Sequence, residues 1–364
     1  MNLTQTQRER NELFEAQAHI YSYLLNCATS MSLKCALELG IPDIVLNHKK
    51  PITIQELISK LNLPIEKTFH LRSLMRLLIH SKFFSIIKLD GQEGYVPTTA
   101  SKLLIKNTSE DSQNVPNLFS FAKFCLDPAI LTPWQFLGKW FNGSESTIFE
   151  TVNGISVWEF ANKNPKFNEL FNDAMTSDSR MMSLVANDYH EIFAGVESVV
   201  DVGGGTGLNA KILLEAFPHM TCTVLDLPHV VADMTDTTNL KYVGGDMLSF
   251  IPSADVILFK TVLHNWGDED VLRVLKLCRE TIRSGGGKGI NKGKVVIIDM
   301  VVDFEHDEEE ITKTKMLFDV MMMFFINGKE RTKAEWEKLF LEAGFSEYKI
   351  THNLGLRSLI EVFP

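Results

Sequence analysis

Val199-Val200-Asp201-Val202-Gly203-Gly204-Gly205-Thr206-Gly207 is the stretch whose reading decides the fold. The apolar run from Ser198 to Val202 predicts a buried parallel strand. Four glycines occupy the turn that follows. Ile212, Leu213, Leu214 and Phe217 then trace the apolar stripe of an amphipathic helix. Glycine removes side-chain bulk, so a ligand can lie against bare backbone. A helix N-terminus offers unpaired N–H groups and a partial positive charge to an anionic group. Together these features predict a nucleotide-like ligand at the carboxyl end of the first strand of an α/β sheet. A glycine turn that only packs strand on helix is the alternative.

The acid before the glycines selects the ligand. A dinucleotide fingerprint needs G-x-G-x-x-G or A, and the last position here is Leu208. The pattern is instead D-x-G-x-G-x-G. Asp201 would repel a pyrophosphate but can pair with an ammonium, and S-adenosylmethionine carries both an amino and a carboxylate group.

Outward from this loop, strand-like and helical stretches alternate. Thr221–Leu225, Leu240–Val243, Asp255–Phe259 and Lys294–Val301 read as strands, and Asp268–Ile282 reads as a helix. Such alternation predicts a parallel doubly wound sheet. A helix over Thr332–Ala343 stops at Gly344, and Tyr348–Thr351 with Ser358–Phe363 predicts an antiparallel pair at the sheet edge. Gly285–Gly293 reads as a flexible surface loop, because it precedes a strand where a phosphate loop would precede a helix. Asp303–Glu310 reads as a solvated acidic loop and helix start, not a metal site.

Towards the N-terminus, residues 8–39 read as helical up to Gly40, with Leu13, Phe14, Ile20, Tyr21, Leu24 and Leu25 on a wide apolar face. That face needs cover, from a second subunit or from the rest of the chain. Thr53 and Glu56 form a capping-box pair ahead of helices over 53–61 and 65–80. Phe83–Lys88 and Gly94–Pro97 bracket an Asp90-Gly91 turn and predict a hairpin. Helix, helix and hairpin make a winged-helix pattern. DNA binding through Arg72 and Arg76 is one reading; packing and dimer formation is the other, favoured by the acidic chain. The polar, breaker-rich segment 105–116 marks the domain boundary, and the helical region from Leu118 to about Tyr189 is dense in aromatics and methionines.

Composition limits the rest. The 364 residues are enough for two domains. The net charge of −10 argues against a nucleic-acid partner. No apolar run reaches the length of a membrane span, and the N-terminus lacks a signal-peptide pattern. Five scattered cysteines without a C-x-x-C pair predict reduced core thiols, no zinc site and a cytoplasmic location.

The chemistry sits where the strands end. Asp226 follows the second strand, where an acid accepts hydrogen bonds from a ribose diol. Asp246, after the third, can accept from an adenine amino group, with Met247 on one face of the ring and Trp266 on the other. Ordinary turn chemistry is the alternative for both acids. His264 follows the fourth strand. A phenol has a pKa of about 10 and histidine about 6.5, so neutral imidazole can take a hydroxyl proton near pH 7. It needs an acceptor on its other nitrogen, and Asp299 and Glu330 are both candidates. A capping or packing histidine is the alternative.

Asp201–Gly207, Val243-Gly244-Gly245-Asp246-Met247, Leu263-His264-Asn265-Trp266 and Gly328-Lys329-Glu330-Arg331 together resemble the plant small-molecule O-methyltransferases over nearly the whole chain. The resemblance implies a Rossmann-like methyltransferase domain over residues 113–364 and a mainly helical, winged-helix-like dimerisation domain over 1–112. It implies a homodimer, with residues near Leu25 of the partner subunit closing the pocket. The implied cofactor is S-adenosylmethionine, leaving S-adenosylhomocysteine, with no metal. The implied catalytic set is His264 as base, steered by Asp299 and Glu330. The expected cofactor contacts are Gly203, Gly205, Asp226, Leu227, Asp246, Met247, Lys260 and Trp266. Acceptors would be phenylpropanoid or flavonoid phenols, with the ring among Phe167, Phe171, Met175, Met322 and Asn327. Asn265 and Asp299 match the isoflavone O-methyltransferase branch, whereas many caffeate-type members have aspartate and glutamate there. Met321-Met322-Met323-Phe324-Phe325 departs from the expected pocket lining and leaves stilbenes, simple phenols, alkaloids and hydroxypyrazines open as acceptors. A nicotinamide oxidoreductase, a winged-helix DNA-binding protein and a non-catalytic S-adenosylmethionine-binding homologue are the competing readings.

Overall fold

The computed structural model describes residues 5–89, 91–106, 116–181, 183–184, 190–285 and 293–364. Asp90, the expected 112/113 boundary, Met182, residues 185–189 and most of the glycine-rich loop lie outside the described residues. The chain forms two compact units, one of residues 1–131 with 173–178 and one of 132–172 with 179–364.

The first unit opens with α1 (Gln5–Leu24) and α2 (Cys27–Glu38), two helices where the sequence predicts one; backbone turn bonds at Leu25 and Asn26 separate them. Gly40 ends the run in the left-handed conformation at φ 69°. Leu13 is 72% exposed, and Phe14, Leu24 and Leu25 are exposed beside it. The described chain therefore leaves the apolar face of α1 uncovered. Helix α3 (Ile41–Asn47) leads to α4 (Ile54–Lys60), where Thr53 and Glu56 close the predicted capping box. Helix α5 (Thr68–His80) and the antiparallel hairpin of β1 (Phe84–Leu89) and β2 (Gln92–Pro97) complete the pattern around a core of Ile41, Ile52, Leu57, Met75 and Phe84.

In the second unit, β3 (Ser198–Val202), β4 (Thr221–Asp226), β5 (Leu240–Gly244), β6 (Val256–Lys260) and β7 (Lys294–Asp299) pair in parallel. The predicted hairpin, β10 (Glu347–Leu354) and β11 (Arg357–Phe363), adds antiparallel at the β7 edge, giving the order β10-β11-β7-β6-β3-β4-β5. Alternate residues feed two cores. Val200, Ile257 and Ile297 pack with α8 (Asp268–Gly285) and α10 (Lys333–Glu342). Val199, Leu258 and Ile298 pack with α7 (Leu208–Ala216). Strand order reverses between β3 and β6, and ligands of open α/β sheets bind at such a switch point. Helix α6 (Pro165–Ser179) contributes residues to both units, and α9 (Glu309–Ile326) leads into the short strand β9 (Arg331–Thr332), which pairs with β8 (Val301–Val302).

Two expectations change. The acidic loop before α9 is not simply solvated: Asp307 is drawn in by Lys315, which is 1% exposed and donates to Asp307 Oδ2 (2.6 Å) and to the Val301 carbonyl (2.8 Å). Of the cysteines, Cys222 and Cys278 are core residues, but Cys27 is exposed, because the uncovered helix pair carries it.

Candidate active site

The glycine loop leaves β3 at the switch point. Gly203 takes φ 68°, and a Cβ there would press on the Val262 side chain at 2.8 Å, so the loop can lie against the next strand's turn only with glycine. Asp201 does not stand open beside the glycines, as an ammonium partner would require. Its carboxyl is 1% exposed, lies under Gly204 and accepts from the Ala210 N–H, which secures the start of α7. Burial pushes that carboxyl up to about 7, against the pull of the buried Lys260 at the end of β6.

Asp226 accepts from the Gly205 N–H (2.8 Å) through one oxygen and from the Leu227 N–H (2.7 Å) through the other. It thus braces the loop, and each oxygen keeps a lone pair for a hydroxyl donor. Asp246 is exposed and accepts from the Leu248 N–H (2.9 Å); Leu227 is exposed, Met247 is buried and Trp266 half-buried. The exposed backbone at Gly203, whose own N–H is held by the Leu225 carbonyl (2.7 Å), the carboxylates at the ends of β4 and β5 and the start of α7 fit a ligand with hydroxyl, amine and carboxylate groups.

After β6 the chain turns sharply. Thr261 sits at φ 52°, a strained position for a β-branched residue, and a single 3-10 turn over Leu263–Asn265 follows. His264 on that turn is buried. Its Nδ1 lies 2.8 Å from Glu330 Oε1 and 3.6 Å from Asp299 Oδ1. The sequence left both acids open as partners; the geometry gives the hydrogen bond to Glu330 and leaves Asp299 at ion-pair distance. A carboxylate only accepts, so Nδ1 carries the hydrogen and Nε2 keeps its lone pair. Burial pulls the imidazole pKa down, but Asp299 and Glu330 outweigh it, and the net shift is upward. Asp299, 1% exposed, is pushed up to about 6 by burial, with His264 opposing and Glu330 reinforcing. These three are also, among the described residues, the group whose ligand atoms converge to within 4.8 Å. The 2.8 Å contact is a hydrogen bond, shorter than the spacing of two ligands arranged tetrahedrally about an ion at about 2.0–2.1 Å.

Of the residues that hold Glu330 in place, Asp319 was not singled out in the sequence. The Glu330 N–H donates to Asp319 on α9 (2.8 Å), and the Lys329 N–H donates to the His264 carbonyl (2.9 Å). Asn327 caps α9 in the left-handed conformation, and Gly328 passes against His264 and Asn265. Arg331 is fully buried beside them. Gly328-Lys329-Glu330-Arg331 was legible as a motif, but nothing in its spacing told which residues carry the turn.

Among the expected acceptor contacts, Phe167 packs with Phe149 and Phe160, and Phe149 stacks on Phe325 at 6.0 Å. Met322 is buried on the same helix as Phe325. Phe171 meets Trp158 edge-on, and Met175 falls in the first unit.

Two family models match this chain: an O-methyltransferase dimerisation domain over residues 21–107 and an O-methyltransferase domain over 134–346. The chain belongs to the O-methyltransferase family. Its cofactor is accordingly S-adenosylmethionine, and the nicotinamide reading is set aside. A trans-resveratrol di-O-methyltransferase of Vitis vinifera is 47% identical, over 97% of both chains. An isoflavone-7-O-methyltransferase of Medicago sativa is 45% identical over 98% of both. The solved mitomycin 7-O-methyltransferase shares the fold with a TM-score of 0.72 and 25% identity, over 97% of this chain and 99% of its own. The predicted architecture, a helical dimerisation domain followed by a Rossmann-like methyltransferase domain, is the one these matches describe. No helix among the described residues is long and apolar enough to cross a membrane.

The strain at Thr261 has a measurable consequence. Thr261→Gly is expected to relieve about 1 kcal/mol, raising the Tm by a few degrees while lowering kcat through a looser His264 turn. An unchanged or lower Tm would show that the lost hydroxyl bond to the Lys260 carbonyl and the freer unfolded chain outweigh the strain.

Proposed function

We propose that this O-methyltransferase methylates a phenolic hydroxyl of a plant secondary metabolite of the isoflavonoid, flavonoid or stilbene kind, with His264 as general base. The observation that carries the reading is the 2.8 Å bond from His264 Nδ1 to Glu330, which leaves Nε2 with its lone pair. When bound, S-adenosylmethionine supplies an electrophilic methyl on a sulfonium. Nε2 takes the acceptor's hydroxyl proton, and the imidazolium that forms is stabilised by Glu330 and Asp299. Gly203, Gly205, Asp226, Leu227, Asp246, Met247, Lys260 and Trp266 form the cofactor site. Phe167, Phe171, Met322 and Asn327 contact the acceptor ring. The exposed face of α1 and the dimerisation-domain match support a homodimer, and the free cysteines support a cytoplasmic location.

The relatives name both stilbene and isoflavone acceptors at similar identity, so a panel decides. Labelled S-adenosylmethionine with isoflavones, flavonols, resveratrol, caffeate and simple phenols should give a methylated product with at least one class. Turnover only on non-phenolic hydroxyls, or binding of the cofactor with no turnover, would overturn the proposal.

The base also fixes the pH dependence. Only neutral imidazole accepts a proton, and the two acids raise its pKa. The acid limb of kcat/KM is therefore expected above the ordinary histidine value of about 6.5. Asp299→Asn removes one anion, favours the neutral form and should move the limb to lower pH. An unmoved limb would mean that Asp299 does not act on the titrating group.

A further inference from the structure

We infer that Arg331 is the positioning residue of the base: it ties the turn bearing His264 to the segment bearing Glu330. The inference rests on the reading of His264 as base. Arg331 is 0% exposed, and each of its three guanidinium nitrogens has a partner. Nη1 donates to the Leu263 carbonyl (3.1 Å) and Nη2 to the Trp266 carbonyl (2.7 Å), the residues before and after the His264-Asn265 pair. Nε and Nη2 hold Asp268 Oδ1 at 2.9 and 2.8 Å, where α8 begins, and the group lies over the Trp336 ring at 5.2 Å.

The bonds follow an order. The Lys329 N–H takes the His264 carbonyl, the Glu330 side chain takes the His264 imidazole, and Arg331 takes the carbonyls of Leu263 and Trp266. Three consecutive residues thus bind the turn, and only one touches the reacting ring. A buried arginine needed for stability alone could meet any carbonyls; these two belong to the turn that sets where Nε2 points. Thr261 enters that turn strained, so the turn holds its shape only under outside restraint. The planar fork is essential: a lysine in this place has one compact ammonium and cannot span two carbonyls and a carboxylate.

The test uses the full chain with labelled S-adenosylmethionine and with daidzein and resveratrol as acceptors. Variants are Arg331→Lys, Asp268→Asn and, as reference, His264→Ala. Thermal melting and cofactor calorimetry check folding, and ¹⁵N imidazole shifts report the His264 tautomer. Arg331→Lys is expected to fold and keep cofactor KM within roughly twofold, while kcat falls about 10²-fold. Its His264 should show a mixture of Nδ1–H and Nε2–H tautomers where the parent shows Nδ1–H alone. Asp268→Asn, which loosens the guanidinium from its exposed side, should move the same readouts less, and it carries the test if Arg331→Lys does not fold. A folded variant with parental kcat and a pure Nδ1–H tautomer overturns the inference. So does a loss seen only in melting temperature. Parental activity in His264→Ala would instead overturn the base reading, and the tautomer shifts would still decide the role of Arg331.

Discussion

His264→Ala is expected to slow methyl transfer by about 10²- to 10⁴-fold, the range of a positioned general base, while cofactor affinity stays close to that of the parent. The reason is a mismatch of acidity. A phenol with a pKa of about 10 is almost wholly protonated at pH 7, and a protonated oxygen is a poor nucleophile. The imidazole corrects this at one atom, Nε2, because Glu330 occupies Nδ1 at 2.8 Å. The variant keeps the glycine loop, Asp226 and Asp246, so binding of the donor should persist. Two comparisons sharpen the test. Raising the pH should recover part of the variant's rate, since the phenol then ionises unaided. Glu330→Gln should lower kcat less than the alanine variant, because an amide oxygen can still accept from Nδ1 but no longer stabilises the imidazolium. Activity of His264→Ala within a few-fold of the parent, across the pH range, would remove the histidine from the chemistry.

The second large effect is expected at a residue that touches no reacting atom. A Cβ at Gly328 would run into the His264 carbonyl oxygen and stand 3.0 Å from Asn265 Cα. Both neighbours are backbone and cannot rotate away as a flexible side chain could. Gly328→Ala must therefore push the 263–266 turn from the 328–331 segment and stretch the Lys329-to-His264 hydrogen bond. A displacement of about 1 Å at a catalytic group can cost about 10²-fold, and overpacking costs about 1–3 kcal/mol of stability. Kinetics of the folded protein separate the two: kcat should fall by about 10²-fold with cofactor KM nearly unchanged, and the Tm should fall by several degrees. A variant with a lowered Tm but parental kcat would show that the turn absorbs the added carbon without moving His264.

Two buried charges mark the limit of sequence reasoning. Lys315, which the sequence does not single out, is buried and clips Asp307 to the start of β8. Arg331 reads as the last letter of a motif, yet it is buried deeper than its acid neighbour Glu330. Charge type alone carries no signal for this, because burial depends on what folds over the side chain. The same holds for Asp201. Its position before the glycines suggested a ligand contact, but the side chain turns under the loop, where it meets the start of α7.

The sequence by itself determined what is local or periodic. Apolar runs separated by amphipathic stretches specified the parallel sheet, because strands buried on both faces must be apolar throughout. The Thr53–Glu56 pair specified the start of α4, and the glycines after β3 specified the tight turn into α7, because each depends on neighbours in the chain. His264, Asp299 and Glu330 could be nominated from residue type and their place after strands. Their roles relative to one another could not. Glu330 lies 66 residues from His264 and becomes its hydrogen-bond partner only because Asp319, Gly328 and Arg331 bring one segment against one turn. Asp299, also a carboxylate and with its side chain equally buried, stops at 3.6 Å. That difference of less than an ångström is set by packing between distant segments, and only the tertiary structure decides it.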